Sequence, residues 1–243
     1  MIGIGTIVNS LAIVIGGIIG LFAGRLLTER FQKIITVTMG LSVGAMSISS
    51  VVAKMLIIDG EKISTRGTYM IIFSLVFGAI VGELINIDKL MEDFGVYLKQ
   101  KTGNAKDIAF VDGFVTASLT VCIGAMAVMG SIMDGINHDP SILFTKAILD
   151  FIIIMIMSAS MGKGCAFSAI PVAIFQGFIT ILSTFIAPLL NEKGMDNLSL
   201  VGSILIFCIS VNILADGKYR IKVANLLPAI VFAVVAAYIP FFD

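Results

Sequence analysis

The chain has 243 residues, of which 58% are hydrophobic and 13% charged, and its basic and acidic residues balance to a formal net charge of zero. Because soluble domains are normally about one quarter charged, this composition excludes an ordinary soluble domain, and the zero net charge gives no basis for nucleic-acid binding. The charges lie in short clusters between apolar runs of about 20 residues, the length at which a helix crosses the hydrocarbon core of a bilayer. The predicted fold class is therefore all-α: a single polytopic helical domain over residues 1–243, with the lipid bilayer as its surroundings.

Eight transmembrane helices are predicted, and seven are the alternative. Their approximate bounds are 3–24, 34–57, 67–86, 108–132, 142–161, 165–190, 197–215 and 222–241. The first run is long and lacks the basic segment of a cleavable signal peptide, so it is retained as the first span. The stretch 87–107 between spans three and four is amphipathic. It is predicted to lie on the cytoplasmic membrane surface, with Phe94 and Tyr97 at the interface.

Lysine and arginine residues divide unequally between the two sides that these spans define. Eleven lie on one side: Arg25, Arg30, Lys33, Lys89, Lys99, Lys101, Lys106, Lys163, Lys218, Arg220 and Lys222. The other side carries five: Lys54, Lys62, Arg66, Lys146 and Lys193. Since basic residues accumulate in cytoplasmic loops, the richer side is predicted to be cytoplasmic and both termini to face outside. A seven-span chain would reverse the C-terminal half.

Span one contains two features of interest. Asn9 and Ser10 interrupt an apolar run, and an amide without a partner costs several kcal/mol, by order of magnitude, in hydrocarbon. This pair either reaches interfacial water or a neighbouring helix, or belongs to a polar site. Small residues four apart also mark one face of the span, and they predict a groove in which another helix packs closely. They are Gly16, Gly20 and Gly24, and the same interpretation applies to Gly78 and Gly82 in span three.

Span four carries three hydroxyl residues in its first half: Thr116, Ser118 and Thr120. Such side chains often bond to carbonyl groups of their own helix, which needs no ligand. The alternative is that they line a polar path, or that the helix unwinds locally at the small residues around Gly124. Asp134 near the end of the span is predicted to be a solvated interfacial carboxylate.

Spans five and six contain the most informative polar residues. Asp150 lies deep in an apolar run, one helical turn after Lys146, so an internal ion pair and a coupling carboxylate are the two open interpretations. Pro171 removes a backbone donor and predicts a kinked or broken helix, with Ser168 and Gln176 on either side. A broken helix flanked by polar residues is typical of substrate and ion sites in transporters.

Other residue types limit the possible chemistry. Asn212 lies near a cytoplasmic helix end, where capping and a place in the site are both possible. Three cysteines, Cys122, Cys165 and Cys208, fall within apolar runs and are predicted to be small core residues. His138 is the single histidine, so a histidine-based metal site is not expected. The sequence has no nucleophile–base arrangement and no cofactor fingerprint, so neither catalysis nor an organic cofactor is predicted.

Two internal alignments suggest an inverted repeat. GLFAGRLLTER and STFIAPLLNEK align at an offset that relates spans 1–3 (residues 1–86) to spans 6–8 (residues 162–243), with 87–107 as the connection and 108–161 as spans four and five. A shift of five spans inverts the second copy, which is the architecture of many secondary transporters. A rival alignment places GTIVNSLAIVIGG on GFVTASLTVCIGA of span four.

Four segments in the same order resemble one known family. GTIVNSLAIVIGGIIGLFAG, VDGFVTASLTVCIGAMAVMGSIMDG, SAIPVAIFQG and KVANLLPA are similar to the YqgA/YdfK-type family of bacterial inner-membrane proteins, domain of unknown function 554. The family is sometimes labelled a transport protein. The resemblance implies a multi-pass protein of the bacterial inner membrane, and it supplies neither a substrate nor a set of site residues.

The leading functional hypothesis is a secondary transporter of a small solute or ion. Its candidate site combines nine polar residues: Asn9, Ser10, Thr116, Ser118, Thr120, Asp150, Ser168, Gln176 and Asn212. Amide and hydroxyl groups would coordinate the solute, with Asp150 as the coupling charge for a cation, Na⁺ or H⁺. The alternatives are a passive channel formed by a homo-oligomer through the glycine faces, and a membrane scaffold or sensor. A scaffold should have its polar residues fully paired within the protein.

Overall fold

The computed structural model describes residues 2–59, 62–104, 107, 109–215 and 219–240. Its α-helices, in chain order, are α1 (Ile4–Leu26), α2 (Glu29–Met55), α3 (Thr68–Ile85), α4 (Ile87–Lys101), α5 (Phe110–Cys122), α6 (Ala125–Ile136), α7 (Ser141–Met161), α8 (Ala169–Ile181), α9 (Ser183–Ile186), α10 (Glu192–Ala215) and α11 (Pro228–Ala236). Short 3₁₀ helices cover Lys163–Ser168, Ala187–Leu189 and Val223–Leu226. Two strands, β1 (Leu56–Asp59) and β2 (Lys62–Thr65), form an antiparallel hairpin that hydropathy did not predict.

The described helices differ from the eight predicted spans. Six helical segments are long and apolar enough to cross a bilayer: α1, α2, α3, α7, α10 and the continuous segment Lys163–Ile181, which joins a 3₁₀ helix to α8. The bent pair α5/α6 makes a seventh when it is counted as one span. The last apolar segment, Val223–Ala236, is shorter, so the span predicted over 222–241 is wrong in length. The span predicted over 165–190 is also too long, because α8 ends at Ile181. Hydropathy counts apolar residues and does not detect where the backbone leaves the helix.

Glycine faces bring two pairs of helices into backbone contact, as the sequence predicted. A Cβ atom on Gly16 would lie 2.5 Å from the Phe151 carbonyl oxygen, and one on Gly20 would overlap the Met155 carbonyl oxygen. α1 therefore lies parallel to α7 along most of its length. In the same way Gly78 and Gly82 of α3 pack against Ala229 and Asn225, and this pair is antiparallel.

Gly20→Ala is expected to lower the free energy of unfolding by about 1–3 kcal/mol, because the added methyl group must push α1 away from the α7 backbone. The measurement is thermal unfolding of the full-length protein in detergent. Gly177→Ala in α8 is the matched control. A Cβ atom there has nothing within 4 Å, so alanine should stabilise the helix by about 0.5–1 kcal/mol. Equal effects of the two substitutions would contradict the close packing of α1 on α7.

Helices α2 and α10 form a second long pair, which is antiparallel. Near one end, a Cβ atom on Gly40 would lie 3.0 Å from Ile213. Near the other, Lys54 of α2 donates to Asp196 of α10 at 2.6 Å. Arg66, just after the hairpin, also binds Asp196, at 2.7 Å. This side of the bundle is called the Asp196 end below.

The opposite side, called the Arg220 end, carries the amphipathic helix α4. Arg220 pairs with Glu92 at 2.7 Å and reaches Asp88 at 3.4 Å, which ties α4 to the chain before the last helix. Burial raises the pKa of Asp88, and the Arg220 guanidinium opposes that rise. Phe94 stacks edge-on against the Phe114 ring at 5.8 Å and is half-buried. Tyr97 is exposed, as an interfacial side chain should be.

The positions of the basic residues mostly follow the predicted division between the two ends. The exception is Lys146, which was counted with the external side although it lies within the fifth predicted span, and it is only 7% exposed inside the bundle. Its removal from the external set makes the asymmetry of basic residues larger. Lys106 and Lys218 lie outside the described residues.

The fourth and sixth predicted spans both contain irregular backbone, at the glycine named as one alternative for span four but not at the predicted proline of span six. α5 and α6 meet at a bend of 60°, and Gly124 between them has φ +146°, a conformation that L side chains rarely adopt. The predicted break at Pro171 is wrong. Pro171 lies in the first turn of α8, where a helix has no donor to lose, and the irregular segment is the preceding 3₁₀ helix Lys163–Ser168.

Candidate functional site

A cavity of about 320 Å³ lies among α2, α7, α10 and the bend between α5 and α6. Its polar lining consists of Ser47, Ser50, Thr120, Lys146, Asp150, Ser199 and Ser203. Apolar side chains make up the rest of the lining, among them Val43, Ile153 and Ile206. This volume is at the lower end of the range for ligand pockets and corresponds to about ten water molecules. It is called the central cavity below.

A buried ion pair forms the charged part of the central cavity. Lys146 Nζ lies 2.8 Å from both carboxylate oxygens of Asp150, one turn later on α7. Asp150 is 2% exposed and also accepts a hydrogen bond of 3.0 Å from Asn9 Nδ2 on α1. The amide that interrupts span one therefore binds this carboxylate without itself lining the cavity. Both charges are paired, and together they are neutral.

The broken helix places backbone polar groups at the same cavity. Ile123, Gly124, Met126 and Ala127 line it, so the C-terminal end of α5 and the N-terminal end of α6 both face it. A helix end leaves carbonyl groups or N–H groups without partners inside the helix, and these carry partial negative and positive charge respectively. The cavity therefore offers both signs of partial charge beside Lys146 and Asp150.

Serine hydroxyls join α2 to α10 across the cavity wall. Ser50 and Ser203 lie 2.8 Å apart, and Ser203 also donates to the Ser199 carbonyl at 2.7 Å. Ser47 donates to the Gly44 carbonyl within its own helix. Each hydroxyl retains an acceptor lone pair that a ligand donor can use.

A second cavity of about 310 Å³ opens at the Arg220 end and adjoins a groove lined by Glu29, Gln32 and Lys33. Thr116 and Asn212 line this second cavity. Thr120 donates to the Thr116 carbonyl, so the two cavities are separated by about one helical turn of α5, about 6 Å.

Three apolar side chains occupy the level between the two cavities. Met39, Met157 and Ile209 belong to one buried cluster, and each lies between a central-cavity residue and a second-cavity residue of its own helix. They are called the apolar layer below.

The structure divides the predicted site residues into three groups. Thr120 and Asp150 line the central cavity and Asn9 binds Asp150, whereas Thr116 and Asn212 lie at the second cavity. Asn212 also bonds both the N–H and the carbonyl of Ile221, so it fixes the chain before the last helix. The other predicted members do not line the central cavity: Ser10, Ser118, Ser168 and Gln176. A single site containing all nine residues is therefore wrong.

The reason for the division is local. Ser118 donates to Phe114 and Ser168 to Cys165, so both hydroxyls are used by their own segments. Ser10 and Gln176 have buried polar atoms without a hydrogen-bond partner among the described residues. Gln176 lies on α8, which does not reach the cavity. The sequence shows that a residue is polar but not which helix its side chain faces.

The chain matches the family model described as "Protein of unknown function (DUF554)" over residues 4–238. The chain belongs to this family. Two similar proteins each share 26% identity with this DUF554 chain. One is "Uncharacterized membrane protein YdfK" of Bacillus subtilis (strain 168), over 97% of this chain and 96% of the relative. The other is "Uncharacterized protein YqgA" of Escherichia coli (strain K12), over 95% and 94%. No solved structure matches.

Membership of the DUF554 family agrees with the apolar helices: the chain is a helical membrane protein. Sequence reasoning missed several residues around the polar interior of this family member. Four cavity serines were not selected: Ser47, Ser50, Ser199 and Ser203. The two on each helix are three or four residues apart, about one turn, so they share one helix face. Asp134 was predicted to be solvated and is fully buried.

Proposed function

We propose that this protein is a secondary transporter of a small polar solute in the bacterial cytoplasmic membrane, working by alternating access. One observation carries the proposal: a cavity of about 320 Å³ at a helix break contains a buried Lys146–Asp150 pair. Intramembrane charges are costly and are typical of substrate and ion pathways, and discontinuous helices form the binding sites of many transporters.

The charges at the cavity suggest how a solute would bind. The N-terminal end of α6 and the Lys146 ammonium favour an anionic or hydrogen-bond-accepting group. Asp150 and the C-terminal carbonyls of α5 favour a cationic or donating group. The hydroxyls of Ser50 and Ser203 complete the polar wall. A solute that carries both kinds of group, such as a small zwitterion, matches this neutral cavity best.

The apolar layer supplies a candidate gate toward the Arg220 end. Met39, Met157 and Ile209 separate the central cavity from the second cavity by about one turn of helix. The excess of basic residues at the Arg220 end supports a cytoplasmic position for the second cavity and an external position for both termini. The state described here is then closed toward the cytoplasm by an apolar seal.

Asp150 is the proposed coupling charge. A cation or a proton could take the place of the Lys146 ammonium at the Asp150 carboxylate. The ammonium would then be free to bind the solute, so the charge that faces the cavity would change. The alternative of a passive channel is less well supported, because the apolar layer interrupts the polar path. A scaffold is less well supported as well, because eight buried side-chain atoms have no hydrogen-bond partner among the described residues.

The test combines transport with accessibility. Full-length protein in proteoliposomes is assayed for uptake of radiolabelled amino acids and other small zwitterions under a proton or sodium gradient. In parallel, Ser203→Cys is introduced after the native cysteines are replaced by alanine, and membrane-impermeant maleimide is applied to vesicles of either orientation. We expect gradient-driven accumulation of at least one solute, and labelling of the new thiol from both sides in a solute-dependent manner.

Ser118→Cys is the matched control for the labelling, because Ser118 is buried and does not line the central cavity. It should stay unlabelled. Asp150→Asn should abolish accumulation of the solute. The Ser203→Cys thiol should still be labelled in this variant, but the labelling should no longer depend on the solute. Downhill flux without accumulation would favour the channel, and a Ser203→Cys thiol that reacts from neither side, with no solute flux, would overturn the proposal.

A further inference from the structure

A second polar cluster lies outside the central cavity, where α1, α6 and α8 meet near the Asp196 end. Asp134 of α6 is fully buried, and its Oδ2 accepts the Gly5 N–H of α1 at 3.1 Å. Its other oxygen, Oδ1, has no hydrogen-bond partner among the described residues. The hydroxyl of Thr6, the residue after Gly5, is likewise buried and without such a partner.

Helix α8 contributes two more side chains to this cluster. The Thr180 hydroxyl and both polar atoms of Gln176 are buried and lack hydrogen-bond partners among the described residues. A Cβ atom on Gly135, next to Asp134, would lie 2.6 Å from the Thr180 carbonyl oxygen, so Thr180 is at the level of Asp134.

The register of α8 against α1 gives the position of Gln176 along the axis of this helix pair. At the far end of the pair, Ala166 touches Gly17 of α1. The two helices are therefore antiparallel, since Thr180 lies at the level of Asp134 and hence of Gly5. Interpolation at about 1.5 Å per residue places Gln176 beside the turn Thr6–Asn9.

The chemistry of the cluster distinguishes a metal cation from a proton. A buried carboxylate in an apolar interior is costly as an anion unless a positive charge accompanies it. Protonation would remove the charge but would use only one acceptor. Four side chains with unpartnered buried oxygen atoms lie on the three helices that meet here, and a hard cation is held by several such oxygens at once. One carboxylate among neutral oxygens balances a single positive charge.

We propose that Asp134, Thr6, Thr180 and Gln176 form a binding site for a monovalent cation, with sodium as the matching ion. No group of three or more His, Cys, Asp and Glu side chains occurs in the part of the chain that the structure describes, so this site differs from a transition-metal site. Asn9, one turn after Thr6, binds Asp150. An ion at this site is thus one turn of α1 away from the charged pair of the central cavity. Its role as the coupling ion rests on the proposed function, whereas its binding does not.

Sodium binding is tested by thermal unfolding of the purified full-length protein in detergent. NaCl replaces choline chloride at constant total chloride, and KCl and LiCl are titrated in the same way. Since a ligand stabilises the state that binds it, we expect the Tm to rise by about 3–6 °C when sodium reaches ten times its dissociation constant. No sodium-specific rise in the wild-type protein would overturn the proposal.

Substitutions locate the effect. Asp134→Asn should abolish the sodium response, and Thr180→Val, which keeps the shape of the side chain, should raise the sodium concentration at the midpoint at least about tenfold, equivalent to about 1.4 kcal/mol. Asp112→Asn, an exposed carboxylate of α5, is the matched control and should respond like the wild type. If Asp134→Asn does not fold, Thr180→Val decides, and an unchanged midpoint overturns the site.

The two proposals fail separately. A sodium response that depends on Asp134, together with no solute flux in proteoliposomes, removes the transporter and leaves the cation site. Solute accumulation with no sodium response in the unfolding assay removes the cation site and leaves the transporter.

Discussion

Replacing Asp150 with leucine is expected to lower the free energy of unfolding by about 3–5 kcal/mol, because the substitution leaves the Lys146 ammonium buried without its partner. The two side chains are 2% and 7% exposed, so water compensates little of the lost interaction. The double substitution Lys146→Met with Asp150→Leu should recover most of the loss, since it removes both charges and keeps the volume. Reversible unfolding in mixed detergent micelles measures all three proteins.

Asp196→Asn is the matched control for this series. Asp196 also pairs with basic residues, Lys54 and Arg66, but its side chain is partly exposed at the end of the bundle. Exposed ion pairs contribute about 0–1 kcal/mol, so its substitution should have a small effect. If Asp150→Leu costs no more than Asp196→Asn, the cavity is open enough to hydrate Lys146 and the buried pair is not the basis of the site.

The second large effect is expected at the bend between α5 and α6. Gly124→Ala should cost about 1–3 kcal/mol of stability, because φ +146° is a strained conformation for alanine. A Cβ atom there has nothing within 4 Å, so the cost comes from the backbone and not from a steric clash. A backbone that avoids this strain changes the bend, and both half-helix ends move away from the cavity. We therefore expect solute accumulation to be lost as well.

Thermal unfolding and the proteoliposome assay measure the two consequences of Gly124→Ala. The stability of Gly177→Ala provides the comparison, since that glycine lies within α8 and the substitution should stabilise the protein without reducing accumulation. Wild-type stability and accumulation in Gly124→Ala would show that the bend is not held at this residue and is not needed for the proposed transport.

Features that depend on local sequence were predicted well. The membrane class follows from composition, and the contacts of Gly16, Gly20, Gly78 and Gly82 follow from their four-residue spacing. The ion pair of Lys146 and Asp150 follows from the same geometry, since residues four apart share one helix face. The inverted repeat and the homo-oligomer stay predictions.

Features that depend on distant parts of the chain were not predictable in the same way. Asp134 is buried because the first turn of α1 covers it, and no local pattern indicates that contact. Gln176 and Ser118 lie on helix faces that do not line the central cavity. Hydropathy does not determine how a helix is rotated about its own axis in a bundle. Local unwinding around Gly124 was one of the alternatives for span four, and the positive φ of this glycine identifies it as the bend only once the backbone is known.

The close contact of α1 with α7 has a mechanical consequence for the central cavity. Backbone against backbone leaves little room for sliding, so the two helices should move as one rigid body that carries Asn9, Lys146 and Asp150. α2 and α10, tied by Ser50 and Ser203, form a second body that carries the hydroxyl wall. The central cavity then lies between two rigid helix pairs. A solute that binds both the charged residues of α7 and the hydroxyls of α2 and α10 would draw the two helix pairs together. The cavity can then open at either end while the contacts inside each pair are kept.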